Sequence, residues 1–175
     1  PDPQIALKLQ AEIEQFTDQP VSLFPDWETL PYDNFSPHQE IISDRIARLY
    51  QLPTQSNGVT IVPVSTVLQR QSPRDFLLQH TLMVKTGDQF SLDKLRVQLE
   101  NSGYRHVDQV FGPGEYASRG SILDLFPMGS SDPYRIDFFD DEIDTIRTFD
   151  PENQRSIEDI QQIQLLPAHE FPTTK

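Results

Sequence analysis

The most informative segment of the chain is Pro133-Tyr-Arg-Ile-Asp-Phe-Phe139, in which apolar and polar side chains alternate. Successive side chains of a β-strand point to opposite faces of the sheet. One face then carries Tyr134, Ile136 and Phe138, and the other carries Arg135, Asp137 and Phe139. We predict that the first face is buried under a helix and that the second lies near or in solvent.

The segment continues to Phe149 as a second strand, and we expect the hairpin to turn at Asp140-Asp141-Glu142. Ile143 and Ile146 have opposite parity in this second strand. The parity predicts a β-bulge or a local exchange of faces.

A helix and further strands accompany the hairpin. We expect strands from Val107 to Val110 and from Tyr116 to Phe126. Ser91 is suited to cap a leucine-bearing helix that stops at Gly103. Residues 81–166 are therefore predicted to form an α+β domain with a small antiparallel sheet.

The first half of the chain alternates helices and strands, which is typical of an α/β layer. Asp2 and Pro3 suit the start of a helix. Its apolar residues have the spacing of a buried stripe and are Ile5, Leu9, Ile13 and Phe16. Strands are predicted at Val21 to Phe24 and at Gly58 to Val64, the latter apolar enough to be covered on both faces.

A second helix is predicted to open at Ser36 and Pro37. Its buried face carries Ile42, Ile46 and Leu49, whereas Glu40, Asp44, Arg45 and Arg48 are expected in water. We place a boundary near residue 80, so that residues 1–80 form an incomplete α/β domain whose upstream strand is missing from this chain. Residues 167–175 are expected to form an exit linker or the first strand that returns to the α/β domain.

Charge and composition exclude several function classes. Fourteen basic and 27 acidic side chains give a net charge of -13, which argues against autonomous binding of a phosphate backbone. The absence of cysteine excludes disulfides, thiolate nucleophiles and cysteine zinc sites, and it is compatible with the cytosol. No apolar run approaches the roughly 18 residues of a membrane span, so we expect a cytoplasmic protein without a membrane partner.

Motifs for cofactor or catalytic chemistry are also missing. The segment Gly114 to Gly120 lacks the lysine of a phosphate-binding loop. The histidines have no zinc-motif spacing and are His38, His80, His106 and His169. The acidic turn from Asp140 to Asp144 lacks the glycine and closing glutamate of a calcium loop, and no nucleophile elbow is present. We predict no catalytic residue, metal or cofactor in this chain.

The candidate functional residues lie on the polar face of the hairpin. Phe139 beside Arg135 is the composition of interface hot spots, where each residue contributes about 2 kcal/mol or more. Arg119, on the preceding strand, would extend this patch. In the alternative interpretation, Phe139 packs under the neighbouring hairpin arm and Arg135 only pairs with Asp137 or Asp141.

Trp27, Tyr32 and Phe35 form a second aromatic cluster, for which base stacking and structural packing are the alternatives. No Lys or Arg lies between Val21 and Arg45, and this favours packing.

Several long segments together resemble the amino-terminal region of the transcription-repair coupling factors. They are Trp27-Glu-Thr-Leu-Pro-Tyr-Asp33, Ser36-Pro-His-Gln-Glu-Ile-Ile-Ser-Asp-Arg45, Gly103-Tyr-Arg-His-Val-Asp-Gln-Val110, Gly114-Glu-Tyr-Ala-Ser-Arg-Gly120, Ile122-Leu-Asp-Leu-Phe-Pro127 and Tyr134-Arg-Ile-Asp-Phe-Phe-Asp-Asp-Glu-Ile143. The segments around Arg119 and Arg135 are also similar to the second domain of the excinuclease protein UvrB.

The resemblance implies a fold like domains 1a and 2 of UvrB, with a degenerate P-loop-type α/β domain followed by the small sheet domain. It implies a parent that is a DNA translocase, with ATP and magnesium in its motor domains, which displaces stalled RNA polymerase. The present region would recruit the excinuclease protein UvrA, and the residues that match the family's contacts are Arg119, Arg135 and Phe139. A carboxy-terminal domain of the parent would cover this surface at rest.

Two rival interpretations stay open. The chain resembles a fragment of UvrB, a DNA-clamping relative of ATPases, except that no room exists between Tyr32 and Arg45 for its long aromatic hairpin. Alternatively, the chain is a structural scaffold for the translocase.

Overall fold

The computed structural model describes residues 3–29 and 37–171, in which five α-helices and ten β-strands form. The helices are α1 (Pro3–Ile13), α2 (Gln39–Gln51), α3 (Val64–Val67), α4 (Arg74–Gln79) and α5 (Leu92–Asn101), and a 3-10 turn, Leu52–Thr54, follows α2. The strands are β1 (Val21–Leu23), β2 (Val59–Ile61), β3 (Leu82–Lys85), β4 (Arg105–His106), β5 (Glu115–Arg119), β6 (Ile122–Phe126), β7 (Tyr134–Phe139), β8 (Glu142–Phe149), β9 (Ser156–Ile160) and β10 (Gln162–Leu165). The predicted mixed α/β class is confirmed.

The main sheet has the strand order β4-β5-β6-β7-β8-β9, with β4 parallel to β5 and the other neighbours antiparallel. One face is buried in a single apolar cluster together with Leu95 and Leu99 of α5. The side chains that this face contributes include Tyr116, Leu123, Ile136, Phe138 and Ile146. Burial of each large apolar side chain contributes about 1.5–3 kcal/mol relative to exposure, so this face holds the sheet under its helix.

The predicted hairpin is confirmed, with β7 and β8 joined at Asp140 and Asp141. Asp140 has a positive φ of 52°, as a tight two-residue turn requires. The predicted bulge is also present, because the register shifts between Asp137 and Phe138. The shift allows Ile143 and Ile146 to share the buried face.

Two strand predictions are wrong. Tyr116 to Phe126 is a hairpin of β5 and β6 instead of one strand, since Gly120 takes a φ of 61° and reverses the chain. The predicted strand at Val107 to Val110 is replaced by the two-residue β4 just before it. Val110 instead packs on the face of the main sheet that lies opposite α5, in a small apolar cluster with Ala117, Phe126 and Phe149.

Both ends of α5 match the prediction. The hydroxyl oxygen of Ser91 accepts a hydrogen bond from the amide of Lys94 and caps the first turn. Gly103 follows the helix with a φ of 88°, and an added Cβ would lie 1.9 Å from Nδ1 of His169. Glycine is therefore required by both backbone conformation and space.

The first half contains the predicted α/β layer in a reduced form, because β1 and β2 pair in parallel as a two-stranded sheet. The predicted buried stripe of α1 is wrong. Ile5, Leu9 and Phe16 are exposed and Ile13 is half-buried, whereas Ala6, outside the predicted stripe, is buried. Two three-residue strands cover too little area to bury an 11-residue helix. Similarly, β2 is half-buried instead of covered on both faces, and the predicted cap at Asp2 lies outside the described residues.

Helix α2 buries Ile46 and half-buries Ile42 and Leu49, as predicted. The predicted helix start at Ser36 lies outside the described residues. Arg45 was predicted to face water, and this is wrong because its side chain is fully buried.

The buried guanidinium of Arg45 is ion-paired with Glu170, and its Nη1 donates to the carbonyl oxygen of Pro25 at 2.6 Å. Its Cζ also lies 4.9 Å from the ring centroid of Phe24 and 4.8 Å from that of Trp27. The carboxylate of Glu170 and the faces of the two aromatic rings compensate for the hydration that Arg45 loses on burial.

The chain returns from the main sheet through β10, which pairs antiparallel with β3. The backbone after β10 is not a strand up to Phe171, and residues 172–175 lie outside the description. Ile46, Phe76 and Leu77 belong to the same apolar cluster as the main sheet, so one core runs across the predicted boundary near residue 80. The division into residues 1–80 and 81–166 stays a prediction.

Exchange of Glu170 for glutamine is expected to lower the free energy of unfolding by about 3 kcal/mol or more, because buried Arg45 loses its counter-charge. Urea denaturation followed by circular dichroism measures the change. Glu12→Gln, which removes the exposed pair with Lys8, serves as the matched control and should leave the midpoint nearly unchanged. Equal midpoints for both variants would contradict this role of Glu170.

His169 lies against Phe76, with ring centroids 5.9 Å apart, and His80 lies against the same ring at 4.4 Å. Burial, and then the charge of His80, lowers the pKa of His169. The unfolded chain therefore binds a proton more readily than the folded one, and stability falls as the pH drops below about 6.5, the unfolded value. Thermal unfolding of the wild type and His169→Gln between pH 7.5 and 5.5 should show a smaller decrease in Tm for the variant.

Candidate functional site

The second face of the main sheet, on the side opposite α5, is the candidate site, and we call it the outer face. Its charged and aromatic residues on β5 to β8 include Arg119, Asp124, Arg135, Asp137, Phe139, Arg147 and Phe149. Strand register aligns Asp124, Arg135 and Arg147 in one row, and Arg119 with Asp137 in the next. Three guanidinium groups thus gather on one surface of a chain whose net charge is -13.

Arg135 is fixed by partners from three sides. Its Nε and Nη2 donate to the two carboxylate oxygens of Asp124 at 2.7 and 2.8 Å, a bidentate pair. Nη1 donates to the carbonyl oxygen of Gln154 at 3.1 Å, and Cζ lies 4.9 Å from the ring centroid of Phe149. The side chain is only 20% exposed. Every nitrogen of this guanidinium is therefore already used within the chain.

These contacts also stabilise the charge of Arg135. The hydrogen bonds from Arg135 to Asp124 raise the pKa of Arg135, burial opposes them, and the charges of Asp124 and Asp137 add to the increase. Arg135 is therefore a permanent cation that neutralises the buried carboxylate of Asp124.

Arg119 and Arg147 are less committed than Arg135. Arg119 is exposed and uses one nitrogen, Nη2, which donates to the carbonyl oxygen of Asp108 at 2.8 Å. Arg147 is ion-paired with Asp137 and also uses only Nη2 for its hydrogen bonds. Among the described residues, the buried Nε of Arg147 has no hydrogen-bond partner.

Phe139, at the end of β7, projects into solvent with 73% of its surface exposed. Its neighbour Phe138 points to the opposite face and is buried in the core. The interpretation in which Phe139 packs under the other hairpin arm is therefore wrong. The alternative partners proposed for Arg135 are also wrong, because Asp124 holds it while Asp137 pairs with Arg147.

Asp124, Arg147 and Phe149 are the outer-face residues that sequence reasoning missed. Asp124 was assigned to a single long strand, and that error hid its position directly opposite Arg135. Recognition of the turn at Gly120 would have supplied the register that brings the two charges together. Alternation along the second hairpin arm would have placed Arg147 on the side of Arg135, since they are register partners.

Trp27 belongs to structural packing. Its Nε1 donates to Oε1 of Glu170 at 3.1 Å, and its ring lies against the Arg45 guanidinium and against Phe171. Tyr32 and Phe35 lie outside the described residues, so the aromatic cluster predicted with them is not observed as such.

Two other kinds of site have no counterpart in the part of the chain that the structure describes. In these residues no group of three or more His, Asp or Glu side chains is arranged to hold a metal ion. None of the helices within 3–29 and 37–171 is long and apolar enough to cross a membrane.

Comparison with known proteins gives a consistent result. The family model described as the UvrB interaction domain matches residues 82–171. The whole chain is 62% identical to a segment of the transcription-repair-coupling factor of Escherichia coli, covering 100% of this chain and 15% of that protein.

Two further relatives carry the same name. The identity is 55% with the protein of Haemophilus influenzae, over 99% of this chain and 15% of the relative. It is 33% with the protein of Bacillus subtilis, over 91% of this chain and 14% of the relative. The chain thus spans about one seventh of the length of the curated relatives that it matches.

Two alanine variants separate the structural and the exposed parts of the outer face. Arg135→Ala should lower the free energy of unfolding by about 2 kcal/mol, because Asp124 is left buried without its partner. Phe139→Ala removes an exposed ring and should change it by less than about 0.5 kcal/mol. Chemical denaturation of both variants tests this difference, and similar losses would show that Phe139 contributes to the core.

Proposed function

The chain belongs to the UvrB interaction domain family, and from this premise we propose that it is a non-catalytic recruiting module that binds the excinuclease protein UvrA. The contact surface is the outer face, with Arg119, Arg135 and Phe139 as its principal residues. The observation that carries the proposal is the exposure of Phe139, a large apolar ring held in water on the sheet face that also carries Arg119 and Arg135. Aromatic and arginine side chains are the residues most enriched at binding hot spots.

The hairpin end that carries Phe139 is held on its other side by the loop that precedes α5. The amide of Phe90 donates to the carbonyl oxygen of Asp141, and the amide of Ile143 donates to that of Asp88, at 2.8 and 3.0 Å. Nε2 of Gln89 donates to the carboxylate of Glu142 at 2.8 Å. A ring on a fixed hairpin loses little conformational freedom when it is bound, which favours affinity.

The proposal extends to the longer protein of which this chain is a segment. There the α/β half would be a degenerate P-loop-type domain, and the two halves would correspond to domains 1a and 2 of UvrB. Motor domains elsewhere would use ATP and magnesium to move on double-stranded DNA and displace RNA polymerase in the bacterial cytoplasm. A carboxy-terminal domain would cover the outer face at rest, and this segment itself would need no cofactor.

Phe139→Ala is expected to weaken binding of the chain to purified UvrA at least about tenfold, because the ring would fill an apolar recess on the partner. Isothermal titration calorimetry measures the affinity. The matched control is Phe16→Ala, since Phe16 is 88% exposed and lies in the turn that follows α1, outside the outer face. Equal affinity of Phe139→Ala and the wild type would reject the assigned surface.

The same preparation separates recruitment from the DNA-clamping alternative. With a net charge of -13, the chain should show no measurable affinity for duplex DNA in a fluorescence anisotropy titration at about 50 mM salt. Salt-sensitive DNA binding together with no binding of UvrA would favour the alternative.

A further inference from the structure

The three outer-face arginines differ in how many of their nitrogens are already used. All three nitrogens of Arg135 donate hydrogen bonds within the chain. Arg119 and Arg147 each donate from Nη2 alone among the described residues. A guanidinium carries five N–H groups, and an arginine binds a carboxylate through those that are unused. Arg119 and Arg147 therefore have more donors to offer than Arg135, whose two remaining N–H groups lie on nitrogens that already donate.

Arg147 has a buried Nε, which a partner cannot reach, and a partly exposed remainder of the side chain, which a partner can reach. Its Nε is buried without a hydrogen-bond partner in the described part of the chain, although 37% of the side chain is exposed. A buried guanidinium N–H that lost its water and gained no acceptor is unfavourable. Asp159 is the register partner of Arg147 on β9, but the two form no ion pair.

The positions of these groups define one patch. Arg119 and Asp137 lie in the same row of the sheet, with β6 between their strands, which places their backbones about 10 Å apart. Phe139 follows Asp137 on the same face, and Arg147 reaches Asp137 from the adjacent strand. The patch therefore has an apolar anchor and two cations with unused donors.

We propose that Arg147 is a further partner-contacting cation and that Arg147 and Arg119 each bind a carboxylate of the partner. This inference rests on the proposed function and specifies the chemistry of the partner surface: carboxylates beside an apolar recess. Arg135 keeps the outer face in shape, because it holds Asp124 and lies on the ring of Phe149. Asp137 and Thr145 hold Arg147, and a partner carboxylate would add a further acceptor.

Arg147→Gln is expected to weaken the affinity for UvrA about five- to tenfold and to reduce its dependence on salt, since one ionic contact is lost. Arg147→Lys should be intermediate, because an ammonium keeps the charge but not the planar fork. Arg48→Gln, on the exposed side of α2, is the matched control and should bind like the wild type.

Asp137→Asn distinguishes a direct contact from a structural role. If Arg147 contacts the partner, loss of the Asp137 charge frees its guanidinium, and the affinity is equal to or greater than that of the wild type. If Arg147 only holds Asp137 in place, Asp137→Asn and Arg147→Gln weaken binding by the same factor, and the inference is overturned. Unfolding curves for each variant establish that the compared proteins are folded.

The outcome for Phe139 separates this inference from the function on which it rests. Weak binding by Phe139→Ala together with wild-type binding by Arg147→Gln would overturn the role of Arg147 and leave the recruiting surface intact. Wild-type binding by Phe139→Ala, Arg119→Gln and Arg147→Gln together would overturn both.

Discussion

The alternation of side chains across β5 to β8 is the constraint on which the rest of this molecule depends. One face of these strands enters the apolar core with α5, and the other face carries the charges and Phe139. A slip of one residue in the register of β7 would exchange the two faces. It would place Arg135 in the core and Ile136 in water, so the requirement for a dry core also fixes which residues a partner can reach. The exposure of Phe139 is therefore a consequence of how the core is packed.

Alternation also places two arginines next to each other on the outer face, and ion pairs compensate their repulsion. Arg135 and Arg147 are register partners on adjacent antiparallel strands, and like charges in that position repel each other. Each is compensated by a carboxylate on a neighbouring strand, Asp124 for Arg135 and Asp137 for Arg147. The two pairs differ in depth: the side chain of Asp124 is 10% exposed and that of Asp137 is 21% exposed. Loss of one partner from the deeper pair lowers the free energy of unfolding more, because the remaining unpaired charge is further from water.

The sequence predicted those features that depend on nearby residues, and it failed where a distant partner decides. Strand parity placed Phe139 on the polar face, and Ser91 and Gly103 marked the ends of α5, because each of these signals is local. Arg45 has the helical position of a solvent-facing residue, but Glu170 lies 125 positions away and converts that position into a buried ion pair. No local pattern contains that information.

The predicted burial of the apolar stripe of α1 is the opposite error, because residues predicted to be buried are exposed. The helical spacing of the apolar residues is present, but the described residues offer too little surface to cover them. Periodicity states that a face is fit for burial, and only the tertiary structure states what buries it. The assignment of Arg119, Arg135 and Phe139 to contacts with UvrA came from resemblance and stays a prediction. Parity placed Phe139 on the polar face but left open whether the other hairpin arm covers it.

The overall charge of the chain adds a physical reason for a single productive orientation. The partner surface proposed above, rich in carboxylates, would be repelled by most of a chain that carries a net charge of -13, and it would be attracted to the exposed parts of Arg119 and Arg147. Long-range charge would thus suppress encounters elsewhere before short-range contacts form. The exposed ring of Phe139 then supplies what charge cannot, because apolar contact is insensitive to salt and depends on close fit. Steering by repulsion and anchoring by one ring would together explain how a strongly acidic module binds the carboxylate-bearing surface proposed for its partner.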